Sequence, residues 1–169
     1  VEQENIYIGY KYYETRYADC ITGSGNAASD VGCFRSAGAW NYADEMCFTF
    51  GWGMSYTDFE QQITGVEYDA ETDQYMVNVE VRNIGEKPGK CAVLVYAQTP
   101  YGEYERLNEV EKSAIQFVGY EKSSLLDPDG TETVQVPVDR YLLASYDQNG
   151  AEGYILSAGD YYFAVGESS

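Results

Sequence analysis

Histidine is absent from all 169 residues. Its absence removes the commonest general base near neutral pH and the commonest metal ligand. Ser–His and Cys–His nucleophilic arrangements cannot be assembled from this chain alone. Basic residues are scarce: 10 Lys and Arg face 28 Asp and Glu, a net charge of −18. Such a surface repels phosphate backbones and anionic membranes, which excludes nucleic acid as a partner. Neutral partners such as carbohydrate stay open, as do basic ones. No apolar run approaches the roughly 20 residues of a membrane helix, so membrane insertion by this segment is excluded, and no signal peptide opens the chain. The first residues, "VEQENIYIGY", lack a methionine and enter a strand-like segment at once, as expected of a cut from a longer protein.

Cysteine is also sparse, at Cys20, Cys33, Cys47 and Cys91. No CxxC spacing occurs, which argues against a zinc site or a redox dithiol. Three of the four lie in a stretch rich in Gly, Ala and Ser. One reading is a disulfide stapling that stretch, Cys20 to Cys33, in an extracellular or cell-surface protein; the other is free thiols in a cytoplasmic one.

What is present is apolar and aromatic. Apolar residues make up 44% of the chain, enough for a core, and 18 tyrosines outnumber 6 phenylalanines and 2 tryptophans. Tyrosine favours strands and half-wet surfaces. "YMVNVEVRN" alternates, with Tyr75, Val77, Val79 and Val81 on one side. That period of two marks a strand with one buried face. "ITGVEYD", "KCAVLVYAQT", "FVGYEKSSLL", "TVQVPVD" and "AGDYYFAVGES" read likewise, separated by turn signals such as "NIGEKPG" and "DPDGTE". About seven short strands and no convincing helix predict an all-β fold: an antiparallel sandwich of the fibronectin type III or immunoglobulin-like kind, with a barrel as the alternative. Upstream, "IYIGYKYY" reads as a strand and residues 18–39 as an irregular loop. The expected organisation is a stray strand in 1–17, an irregular Cys-containing insertion in 18–47, a linker in 48–62 and the sandwich in 63–169.

The candidate sites are weak as chemistry. "GWGMS" is neither GxSxG nor GxGxxG, and Ser55 has no histidine to activate it. It reads instead as a tight joint, with Trp52, Tyr56 and Phe59 as candidate contacts to a neighbouring domain. Acid clusters such as "DAETD" and "DPDGTE" read as solvated turns, and the second lacks the spacing of an EF-hand. Tyr12, Tyr13, Tyr17, Tyr101 and Tyr104 suit sugar stacking or strand-face packing. No cofactor or metal is implied.

The ordered set "ENIYIGYKYYET", "FTFGWGMSYTDF", "VNVEVRNIGEKPGKCAVLVYAQTP", "FVGYEKSSLLDPDGTETVQVPVD" and "AGDYYFAVGESS" resembles the C-terminal part of glycoside hydrolase family 3, the β-glucosidase-like enzymes. Thr49 stands where that family usually has proline, and the insertion with Cys20, Cys33 and Cys47 is unusual for it. The resemblance implies the last strand of an α/β domain, a linker, and a non-catalytic fibronectin III-like domain that supports the catalytic domains of the parent chain. In that family the aspartate nucleophile and the glutamate acid/base lie in other domains, so no catalytic residue carries over. An independent carbohydrate- or protein-binding sandwich module of a surface protein is the alternative.

Overall fold

The computed structural model describes residues 5–166. Two three-stranded antiparallel sheets face each other. The first has the order β1 (Phe59–Asp69), β2 (Gln74–Asn83), β5 (Thr131–Asp139); the second has β4 (Gln116–Lys122), β3 (Ala92–Gln98), β8 (Tyr162–Gly166). A small hairpin pairs β6 (Ser145–Asp147) with β7 (Gly153–Ile155). The sandwich thus has the predicted class. The expected end strand is seen as far as Gly166, and residues 167–169 lie outside the described part.

The alternation read from β2 is the alternation of the core. Val77, Val79 and Val81 are fully buried, and so are Val136 and Val138 across from them on β5. Val93, Val95 and Ala97 of β3 close the core from the second sheet, with Val118 and Leu126. Each such side chain contributes roughly 1.5–3 kcal/mol on leaving water. The first sheet begins earlier than the expected Ile63: β1 starts at Phe59 and carries an irregularity between Ile63 and Gly65.

The second sheet is covered on its outer face around Tyr96. Strand period puts Tyr96 on the side opposite Val95 and Ala97, away from the core. Yet Tyr96 is only 2% exposed. The N-terminal block covers it: Phe50 lies edge-on to Tyr96 and to Phe117, and stacks on Tyr10 at 4.6 Å between centroids.

That block corrects the expected strand over Ile6–Tyr13. The chain turns at Gly9 (φ 58°) and enters helix α1, Tyr10–Thr22. The side chains pair at helical spacing: Arg16 donates to the Tyr12 hydroxyl one turn back. The β-forming composition was misleading because these tyrosines serve tertiary packing. The helix ends at Gly23 in the left-handed region (φ 69°), whose freedom of backbone is what glycine supplies there. Within 18–47 a second short helix, α2 (Tyr42–Glu45), interrupts the irregular loop. The sandwich also contains a helix that the sequence did not announce, α3 (Glu103–Asn108), capped where the Glu105 carboxylate accepts the Gly102 N–H at 2.7 Å.

Candidate functional site

The linker is fastened to the sandwich through Asn83, at the end of β2. This amide is fully buried, and every bonding position is used. Thr57 Oγ1 and Gly85 N donate to its Oδ1, at 2.7 and 3.0 Å; its Nδ2 donates to Lys87 O and Leu126 O, at 2.7 and 3.0 Å. Gly85 is required for closeness: a Cβ there would lie 2.2 Å from Thr57 Oγ1 and 2.8 Å from Asp58 N. The turn signal "NIGEKPG" is therefore also the slot that grips the linker.

Above that grip the linker presents apolar side chains outward. Trp52 is 52% exposed, Met54 90% and Tyr56 98%, and Phe48 packs on Trp52 at 4.4 Å between centroids. Trp52 and Tyr56, singled out from the sequence, thus lie on the open face of this chain. Phe59 does not: it packs against the sandwich core. Phe50, passed over in the sequence, is the residue that anchors the linker locally. Its carbonyl accepts from Tyr96 Oη at 3.4 Å, and burial pushes the Tyr96 phenol up to about 12.

The stretch after α1 is organised by Arg16. Its buried guanidinium donates to Ala27 O, Ser29 O and Val31 O at 2.8–2.9 Å and lies 4.9 Å from the Trp40 ring centroid. Three loop carbonyls and an aromatic face hold the charge, with no carboxylate needed. Of the two readings of Cys20 and Cys33, the structure has free thiols and not the disulfide. Cys33 Sγ faces the carbonyls of Ser29 and Gly38, while Cys20 sits in the last turns of α1. The Arg16 guanidinium is what ties this stretch to α1. Glu45 completes the loop. Its carboxylate accepts from the backbone N–H groups of Phe34, Arg35 and Ser36, and the Ser36 and Arg35 amides hold it down to about 2.

Two other carboxylates serve the same purpose in the sandwich. Asp147, fully buried, accepts from Tyr104 Oη at 2.6 Å and from the amides of Asn149, Gly150 and Ala151; the Tyr104 hydroxyl and the Ala151 and Gly150 amides bring it to about 2. Glu105 pairs with Lys112 at 3.0 Å. Burial works against its charge, but hydrogen bonds from Ser157, Gly102 and Lys112 prevail and bring it to about 2. A group acting as the general acid of glycoside cleavage must hold its proton near neutral pH. These three carboxylates are set the opposite way. Asp19 goes up instead, by burial.

Between α1 and the loops around α3 lies a cleft of about 690 Å³. A second hollow, of about 640 Å³, adjoins it beside Arg16. Tyr7, Thr15, Asp19 and Ser24 line both. Tyr101 stands on the rim with the Arg106 guanidinium 5.9 Å from its ring centroid.

Residues 92–169 match the fibronectin type III-like domain family. The match starts at the second sheet, so β1 and β2 lie upstream of it. A β-glucosidase of Ruminococcus albus is 29% identical over 167 residues, covering 96% of this chain and 14% of that protein. Beta-glucosidase A of Butyrivibrio fibrisolvens is 29% identical over 98% of this chain and 18% of its own length. Among solved structures, a β-glucosidase from Paenibacillus barengoltzii shares 32% identity at a TM-score of 0.70, over 99% of this chain and 16% of its own. Beta-glucosidase 3B of Thermotoga neapolitana, solved with α-D-glucose, shares 28% at 0.69, over 99% of this chain and 18% of its own. The chain spans 14–18% of the length of these two curated relatives. It is thus similar over nearly its whole length to one region of β-glucosidases, and its residues 92–169 match the fibronectin type III-like domain family.

Proposed function

We propose that this chain is the non-catalytic supporting domain of a family 3 β-glucosidase. In this reading the linker face bearing Trp52, Met54 and Tyr56 docks on the catalytic domains of the parent protein. The observation that carries the reading is the pairing of coverages: 96–98% of this chain aligns with only 14–18% of β-glucosidases. Two features support it. The chain has no histidine, and its most displaced carboxylates are held ionised as loop anchors. The linker carries large apolar side chains to solvent on a backbone that Asn83 and Gly85 fix in place. Exposed apolar clusters on a rigid support are what a contact face requires.

The test is aryl β-glucoside hydrolysis by the 169-residue chain and by the longer protein that contains it. The expected result is turnover by the longer protein and none by the chain. Turnover by the chain alone, or none by the longer protein, contradicts the proposal.

A further inference from the structure

Several buried polar side chains of this fold are satisfied internally. Asn83, Asp147, Glu105, Lys112 and Arg16 each meet a full set of partners within the chain. The cleft between α1 and α3 gathers polar side chains that have no such partners. Its wall includes Asp19 from α1, Gln98 and Thr99 from the end of β3, Arg106 from α3, and Ser113. Among the described residues, none of these five side chains has a hydrogen-bond partner, and the Arg106 guanidinium lies 5.9 Å from the Tyr101 ring centroid. A carboxylate, an amide, two hydroxyls and a guanidinium thus converge on one concavity with their bonding capacity open. Its volume of about 690 Å³ lies in the range of ligand sites.

The mixture of groups specifies the ligand class. A carboxylate accepts two neighbouring hydroxyl hydrogens, and a guanidinium donates in parallel to oxygens. Tyr101, half exposed on the rim, offers a flat ring whose electron-rich face attracts polarised C–H groups. Vicinal hydroxyls beside a C–H face are the pattern of a pyranose. Asp19 and Arg106 cancel in charge, and the net −18 of the chain disfavours an anion.

We infer that this cleft is a binding subsite for a neutral oligosaccharide, with Tyr101 as the stacking platform and Asp19 and Arg106 as the hydroxyl-binding pair. The choice of a glucose-based probe rests on the β-glucosidase reading above; the site itself does not.

The experiment is a titration of the isotope-labelled chain with cellotetraose, followed by backbone amide shifts, on wild type, Tyr101→Ala and Asp19→Asn. Neither side chain holds the fold together by a hydrogen bond, so both variants should unfold at the wild-type midpoint. The expected result is saturable shifts at residues 98, 99, 101 and 113 and along the α1 face bearing Asp19. Each substitution should weaken binding by about tenfold, Asp19→Asn as for one bond to a charged group and Tyr101→Ala as for one lost ring contact. Absence of saturable shifts, shifts elsewhere on the surface, or equal binding by all three proteins overturns the inference. Aryl β-glucoside hydrolysis by the longer protein, run in parallel, separates the two ideas. Hydrolysis without cleft shifts sinks the subsite alone, and cleft shifts without hydrolysis sink the β-glucosidase reading alone.

Discussion

Replacing Asn83 by alanine removes one side chain and four hydrogen bonds at once. At about 1 kcal/mol net per bond, and more where a buried partner is left unpaired, the loss should be about 3–5 kcal/mol. Some relief exists: Leu126 O keeps its bond from Gly89 N at 3.0 Å, while Lys87 is exposed enough for water to reach its carbonyl. Thr57→Val is the matched partner. It keeps the shape, deletes one of the four bonds, and should cost about 1–2 kcal/mol. Because Thr57 and Asn83 touch, the double variant should cost less than the two singles added, with a coupling of about 1 kcal/mol. Urea unfolding followed by circular dichroism, with unchanged m-values as the check on two-state behaviour, measures all three. A loss under about 1 kcal/mol for Asn83→Ala would refute the claim that this amide locks the linker to the sandwich. Strict additivity in the cycle would refute the Thr57 part of it.

Three further outcomes follow from the same packing. Tyr96→Ala should cost about 3–5 kcal/mol, as for a deleted buried aromatic, whereas Tyr96→Phe should cost under about 1 kcal/mol because the bond to Phe50 O is long; equal, small losses would mean that the N-terminal block does not pack there. Arg16→Lys cannot reach three carbonyls at once, so amide exchange in residues 24–40 should quicken by about tenfold or more while β2 and β5 keep their protection; uniform acceleration would show that the loop is not an independent unit. The pH prediction concerns Asp147, whose carboxyl falls from 3.8 to about 2 on folding. Its contribution is present above the unfolded value and is lost as pH falls through the folded one. The stability gap between wild type and Asp147→Asn should therefore narrow between pH 3.8 and about 2; a gap constant across that window would contradict the assigned anchor role.

The sandwich was legible because its signal is short-range. Val77, Val79 and Val81 alternate in sequence and are buried together in space. The fold's remaining features depend on partners far along the chain. Tyr96 reads as a central-strand residue, but nothing local says that its outward face is roofed by Phe50 and Tyr10. The strand expected over Ile6–Tyr13 failed for a related reason: tyrosine propensity was read where tertiary packing decided. α3 and the β6–β7 hairpin are too short to show a period. Glu45 has no local signal of its role, yet it binds three backbone amides of a loop about ten residues upstream. Asn83 and Gly85 were visible as turn residues. What a turn signal does not reveal is that the turn holds Thr57. Trp52 and Tyr56 were picked for size and neighbouring glycines; Phe50, equally large and beside Gly51, was missed because nothing local shows that it faces Tyr96 and Phe117.

Met54 gives the most direct test of the account's central claim, because it is 90% exposed on this chain and flanked by Trp52 and Tyr56. Its rate of oxidation by dilute peroxide is read by mass spectrometry in the 169-residue chain and in the longer protein. A supporting domain docked through its linker face predicts rapid oxidation in the chain and strong protection in the longer protein. Equal rates in the two would contradict it, since the linker face would then be open to solvent in the protein it is supposed to join.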